Sequence, residues 1–177
     1  HEDPGQLHDL ASSEKDRVEK LRAAHETYWD SIQADLDAPC PISLGAYEEN
    51  PTRLDAMDLL GDMIWRQDSI RDAKICGGRW AVDFSRRGAY EFRLCRWPDE
   101  LGLPIDSELP EGKSHALHPV RAVLKLDSME NACEITPGED CARFQVHLAP
   151  GERRMEAWFE DAEGERTGAY YVYVKRL

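Results

Sequence analysis

Arginine and tryptophan lie close together at several places in this sequence, and such pairs can bind acidic sugars. A guanidinium group holds a sulfate or carboxylate through two parallel hydrogen bonds, and an indole face stacks on the apolar side of a sugar ring. The same residues could instead be core tryptophans that are covered by the alkyl stems of the arginines. The candidate carbohydrate-binding residues are Trp65, Arg66, Trp80, Arg93, Arg96 and Trp97.

The five cysteines lack the two-residue gap that is typical of a zinc knuckle or a redox motif. Cys133 and Cys141 flank the turn signal Pro137-Gly138, so their sulfur atoms meet if the flanks form a hairpin. A disulfide between them would fit an exported protein, and the alternative is two unpaired thiols. Cys76 precedes Gly-Gly-Arg, which could activate a thiol but is more typical of a turn.

Other chemistry-bearing patterns are weak. The sequence has no G-x-S-x-G, phosphate-binding glycine loop or H-E-x-x-H motif. His115 and His118 have no third ligand at a suitable spacing, so we interpret them as exposed loop residues rather than zinc ligands. The carboxylates between residues 160 and 165 could hold calcium, but the pattern favours the tip of a hairpin. We therefore predict no catalytic residue and no metal ligand in this chain.

The charge balance narrows the classes of partner. The 22 basic and 35 acidic residues give a formal net charge of −13, which argues against nucleic acid and against an anionic membrane surface. Apolar residues make up 41% of the chain, enough for a core, and no apolar run approaches the ~20 residues of a membrane span. The chain starts at His1 without a leader pattern, so we expect a piece of a longer protein.

Hydrophobic periodicity predicts one helix followed by strands. Apolar residues from Val18 to Leu36 recur at helical spacing, and Pro39-Cys-Pro41 ends the helix. Residues 42–75 favour neither period, and residues 98–118 form a long loop. The sequence predicts a mainly β fold, an antiparallel β-sandwich (jelly-roll-like) preceded by one long N-terminal amphipathic α-helix. The predicted strands are 80–84, 90–97, 120–126, 142–148, 155–159 and 169–175.

Several segments resemble type I sulfatases in an ordered series. The first, HEDPGQLHDLA at residues 1–11, resembles the stretch that leads into the final helix of those enzymes. The later segments WAVD, GAYEFRL, RWP, AWF and GAYYVYV are similar to a C-terminal extension of some bacterial arylsulfatases. The resemblance covers nearly the whole chain. It implies that residues 1–36 are the terminal helix segment of an upstream catalytic domain and residues 42–177 a C-terminal accessory β-sandwich domain.

The resemblance carries over no catalytic residue. Type I sulfatases make formylglycine in a Cys/Ser-x-Pro/Ala-x-Arg signature, and none of the five cysteines here has arginine four residues later. The fragment alone is therefore expected to be inactive, while calcium is implied for the parent enzyme only. The implied partners are the upstream catalytic domain and a sulfated polysaccharide, in the periplasm or outside the cell.

Three alternatives stay open from the sequence. The chain could be a self-standing carbohydrate-binding β-sandwich module, or a purely structural or dimerisation domain whose aromatic residues are all buried. An independent hydrolase has little support, because no pair of carboxylates can be assigned acid and base roles from spacing alone.

Overall fold

The computed structural model describes residues 3–5, 7–36, 38–75 and 77–177. The chain divides into two compact units, residues 1–39 and residues 40–177. Cys76, the thiol considered beside Gly-Gly-Arg, lies outside the described residues. So do His1, Glu2 and Gln6 of the segment that resembles the sulfatases.

The first unit contains the predicted helix. Helix α1 spans Lys15–Leu36 and ends before the two prolines, which cannot continue its hydrogen bonds. None of its residues is buried; Tyr28 and Trp29, on the apolar stripe, are 63% and 44% exposed. Most of the stripe that the spacing predicts is therefore exposed, although Val18 and Ile32 are half-buried. None of the described helices is long and apolar enough to span a membrane.

The second unit is built from two β-sheets. Within the described residues, one sheet has six strands in the order β1-β3-β8-β5-β6, with β9 paired to β8. The other has four strands in the order β2-β10-β4-β7. Neighbouring strands are antiparallel, except that β1 and β3 run parallel. The strands are β1 Ile42–Leu44, β2 Thr52–Asp55, β3 Trp80–Phe84, β4 Gly88–Cys95, β5 Arg121–Leu126, β6 Met129–Glu134, β7 Ala142–Leu148, β8 Gly151–Glu160, β9 Arg166–Gly168 and β10 Tyr171–Arg176.

The hydrophobic core lies between the two sheets. Strand β7 alternates strictly between buried and exposed side chains, the pattern of a strand with one face on a core. The Phe84 ring of the six-stranded sheet meets the Tyr90 and Phe92 rings of the other edge-on, with centroids 4.9 and 6.2 Å apart. All three side chains are fully buried. The predicted class is therefore confirmed: a mainly β sandwich with one long N-terminal helix.

The connections carry little helix. Helix α2 spans Gln67–Arg71, and single 3₁₀ turns cover Asp99–Leu101 and Pro110–Gly112. The segment between β4 and β5 is the predicted long loop. It connects the four-stranded sheet to the six-stranded sheet.

Each sheet has a long strand at one edge: β6 in the six-stranded sheet and β7 in the four-stranded sheet. Their exposed side chains are polar or charged at most positions. Glu130 and Glu134 lie on β6, and Arg143, Gln145 and His147 lie on β7.

Candidate functional site

Four of the six predicted carbohydrate-binding residues do not form an open binding surface. Trp80, Arg96 and Trp97 are 1%, 0% and 4% exposed, so no polymer can reach them. The guanidinium of Arg93 donates two hydrogen bonds to Asp99, at 2.9 and 2.7 Å, and this pairing raises the pKa of Arg93. The prediction of a binding role is therefore wrong for Trp80, Arg96 and Trp97, and Arg93 is already paired. Trp80 and Trp97 are core tryptophans, the alternative given above.

Trp65 and Arg66 lie on the surface, as a binding site requires. They lie at the end of the connection from β2 to α2, and the indole of Trp65 is 70% exposed. The neighbouring Ile64 is buried, and its N–H donates to the carbonyl of Ala56 at 3.0 Å. The buried isoleucine therefore anchors the chain while the next residue presents a large aromatic face to solvent.

A small groove of about 70 Å³ lies beside Trp65. Its polar groups come from Asp55, Gln67 and Tyr171 as well as Arg66. The indole N–H of the buried Trp80 donates to the carbonyl of Asp55 at 2.8 Å, which holds this wall in place. Trp80 thus supports the wall of the groove from the core and does not itself line the groove.

A cationic cleft of about 500 Å³ adjoins this groove and shares Arg66 with it. Four basic side chains face two carboxylates there, in a chain of net charge −13. Arg66 and Arg71 both lie near Asp68, at 3.0 and 3.7 Å. The Nε atom of Arg71 is buried and has no hydrogen-bond partner among the described residues. The cleft residues are Arg66, Asp68, Ser69, Arg71, Asp72, Lys74 and Lys113.

The two walls of the cationic cleft are tied together by the buried Arg96. Its guanidinium donates to the carbonyl of Arg71 at 3.4 Å on one wall. It also donates to the carbonyls of Ser107, at 3.1 Å, and His115 on the long loop that carries Lys113. Burial lowers the pKa of Arg96. Arg96 therefore positions the cleft, although it was predicted to bind the ligand directly.

The predicted disulfide is not formed. Cys133 and Cys141 are both free thiols, the alternative that the sequence left open. The reason is topological: Cys133 lies on β6 of the six-stranded sheet, whereas Cys141 immediately precedes β7 of the other sheet. The Pro-Gly turn therefore joins the two sheets and is not the tip of a hairpin.

A second groove, of about 490 Å³, lies beside the turn between β8 and β9. His118 lines it, as do several of the acidic residues that were considered for calcium. Asp161 accepts the backbone N–H groups of Glu163 and Glu165, the usual chemistry of a turn. Glu160 is paired with Arg166 at 3.4 Å. Across the described ranges, no group of three or more His, Cys, Asp or Glu residues is arranged to hold a metal ion.

Comparisons with known proteins give a single distant likeness. No family model matches the sequence, and no curated protein matches it either. Part of the crystal structure of a ruminal GH26 endo-beta-1,4-mannanase is similar to this chain, with a TM-score of 0.43 and 15% identity. The match covers 75% of this chain and 27% of that chain. The chain thus spans about a quarter of the mannanase, and at this level the likeness carries no inference about function.

Sequence reasoning found Trp65 and Arg66 but missed the rest of the cationic cleft. Arg71 and Lys74 alternate with aspartates along the sequence, which looks like an ordinary solvated segment. Lys113 lies about forty residues further on, in the predicted loop. Only the path of that loop brings it to the same cleft, and no local spacing signals such a meeting.

Proposed function

We propose that residues 40–177 form a non-catalytic β-sandwich that binds an acidic polysaccharide, sulfated or carboxylated, at Trp65 and the cationic cleft. The observation that carries this proposal is the exposed indole of Trp65 at the junction of an aromatic groove and a cationic cleft, which share Arg66. A sugar ring would stack on Trp65, and its anionic substituent would reach the guanidinium of Arg66.

The exposure of the tryptophan supports a binding role. Tryptophan is highly buried on average, and exposed aromatic side chains next to a groove commonly mark ligand sites. The groove also supplies a carboxylate from Asp55 and an amide from Gln67, which suit sugar hydroxyl groups. A flat apolar face surrounded by a few polar groups is what recognition of a carbohydrate needs.

The net charge of −13 does not prevent an anionic ligand from binding. Repulsion by distant carboxylates is screened beyond about 8 to 10 Å at physiological salt. Among the residues that line the cleft itself, the four basic side chains outnumber the two aspartates. Binding should weaken as salt is added, because salt screens the attraction between the exposed basic side chains and the anionic ligand.

The sulfatase resemblance extends this proposal to a parent protein. We propose that the chain is the C-terminal region of a secreted or periplasmic type I sulfatase, with α1 docking on the catalytic domain. The exposed apolar stripe of α1 supports this, since it leaves Tyr28 and Trp29 available for packing. Calcium and catalysis would then belong to the parent domain. An aryl sulfate that released its phenol on incubation with the isolated chain would contradict this assignment, as would an upstream reading frame without a formylglycine signature.

The binding proposal is tested by titrating the chain with sulfated polysaccharides, each paired with its chemically desulfated form. Trp65→Ala should weaken binding of both forms about tenfold or more, because an aromatic anchor typically contributes over 1 kcal/mol. Tyr47→Ala is the matched control: Tyr47 is 76% exposed but lines neither the groove nor the cleft.

A substitution of Arg66 distinguishes the ionic contact with the ligand from stacking on Trp65. Arg66→Gln should weaken the sulfated polymer about tenfold and leave the desulfated polymer nearly unchanged, because a charge-assisted hydrogen bond is worth about 1.5–3 kcal/mol. Failure to bind any polysaccharide would refute the proposal. If the mass in solution also rose with concentration, the dimerisation alternative would replace it.

A further inference from the structure

Two free thiols lie side by side where β4 meets β7. The ladder between these strands ends at Leu94 opposite Ala142, so Cys95 and Cys141 are neighbours one step further along. Both are free cysteines, and each is 1% exposed. The Cys95 thiol donates to the carbonyl of Arg93 at 3.8 Å.

The backbone at this step suits a covalent link. The N–H of Cys141 donates to the carboxylate of Asp140 at 2.9 Å, so it does not point across the ladder to β4. This is the arrangement of a non-hydrogen-bonded pair, in which opposite Cα atoms lie about 4.5 Å apart. Disulfides span Cα distances of about 4.4–6.8 Å, so the bond needs no large backbone movement.

The surroundings of Cys141 favour its reactive form. The Nε–H of Arg93 donates to its sulfur atom at 3.3 Å. The neighbouring Cys95 thiol, and then Arg93, lower the pKa of Cys141 against the opposing effect of burial, while the neighbouring Cys141 and burial raise the pKa of Cys95. The Cys141 thiol also donates a hydrogen bond to the carboxylate of Asp140 at 3.5 Å, and that carboxylate forms an ion pair with Arg143 at 3.3 Å.

We propose that Cys95 and Cys141 are a modification site that forms an internal disulfide in the presence of a low-molecular-weight disulfide such as oxidised glutathione. The thiolate of Cys141 attacks one glutathione sulfur and expels the other as a thiolate. The thiolate of Cys95 then attacks Cys141 in the mixed disulfide and expels the second glutathione. The two cysteine protons end on the two glutathione thiols, so one disulfide is reduced as the other forms.

The bond would fasten the edge strand β7 to the centre of its sheet. Cys141 lies at the start of that edge strand, where local opening gives the oxidant access. The link closes a loop of about fifty residues that includes the whole connection between the sheets, so the unfolded chain loses much of its freedom. We expect the midpoint of thermal unfolding to rise by about 10 °C on oxidation.

Peptide mapping of the full chain tests this proposal. The reduced chain is incubated with oxidised glutathione, alkylated, and cut with trypsin and a glutamate-specific protease. Trypsin alone leaves Cys133 and Cys141 on one peptide, whereas cleavage after Glu134 and Glu139 separates them. The expected product joins the peptides 94–96 and 140–143, with the loss of two hydrogen atoms.

Matched variants decide which thiols react. Cys133→Ser should leave the linked peptides and the rise in melting temperature unchanged, whereas Cys95→Ser should abolish both. Mapping of the unmutated chain gives the answer even if Cys95→Ser fails to fold. A Cys133–Cys141 link, a mixture of glutathione adducts, or unreacted thiols at Cys95 and Cys141 would overturn the proposal.

Discussion

Replacement of Arg96 should be among the most damaging single substitutions in the sandwich. Its guanidinium is fully buried and donates to three backbone carbonyls, those of Ser107, Arg71 and His115. It also lies over the Trp97 ring, 4.4 Å from the centroid. Arg96→Ala removes the donor, leaves three partly buried carbonyl contacts unmade, and opens a cavity beside them.

The magnitude follows from these contacts. Hydrogen bonds from a charged donor contribute about 1.5–3 kcal/mol each, and buried acceptors left unpaired cost about 1–3 kcal/mol. Because the three carbonyls share one cation and water can relax into the site, the total should be about 3–5 kcal/mol, the range for breaking a buried charge contact. Arg96→Lys keeps the charge but cannot reach three acceptors at once, so it should cost about half as much.

The free energy of unfolding in urea measures the effect. Arg143→Ala is the matched control, because that arginine is half-exposed, pairs with Asp140 at 3.3 Å, and should contribute less than about 1 kcal/mol. The long loop that Arg96 fastens should also be cut sooner by protease in Arg96→Lys. If Arg96→Ala were within about 1 kcal/mol of Arg143→Ala, the claim that Arg96 ties the cleft walls together would be refuted.

Two further substitutions test the local physics. Gly45→Ala should cost at least about 2 kcal/mol in urea unfolding, because Gly45 has φ +74° and a Cβ there would lie 2.7 Å from the Tyr90 ring; Gly138→Ala, with φ +88° and open space, should cost clearly less. The second substitution concerns Asp140. Burial raises the pKa of its carboxyl group, but Arg143 and nearby hydrogen bonds hold that pKa below its ordinary value of 3.8. The stabilisation from this carboxylate is therefore present above that pH and lost as the pH falls through the lowered pKa. Asp140→Asn should therefore lower stability by less than about 1 kcal/mol at neutral pH and by a smaller amount at pH 2 in acid-unfolding curves; an equal loss at both pH values would contradict the assignment.

The strands with a strong period of two could be predicted from the sequence. The predicted bounds of the strands at 80–84 and 142–148 are those of the structure. Strand β6 was missed because its sequence, MENACE, has no apolar alternation, and an edge strand with mostly exposed side chains needs none. Strands β1 and β2 and helix α2 are three to five residues long, too short for a period to emerge.

The candidate site was predictable only at Trp65 and Arg66. The sequence pairs arginine with tryptophan in the same way at residues 65–66 and 96–97, yet one pair is exposed and the other buried. Trp65 and Arg66 lie on the connection between β2 and α2, whereas Arg96 and Trp97 follow β4, an inner strand of its sheet, and this placement depends on pairing between distant strands. The disulfide prediction failed for the same reason, since Pro137-Gly138 looks like a hairpin turn but joins two different sheets.

The charged edge strands of the two sheets bear on whether copies of this protein aggregate through their backbones. Antiparallel growth from β6 would bring Glu130 and Glu134 of one molecule against those of the next, and growth from β7 would do the same with Arg143. Such repulsion discourages fibre formation, so the sandwich keeps these strands at its edges without making them templates for another chain.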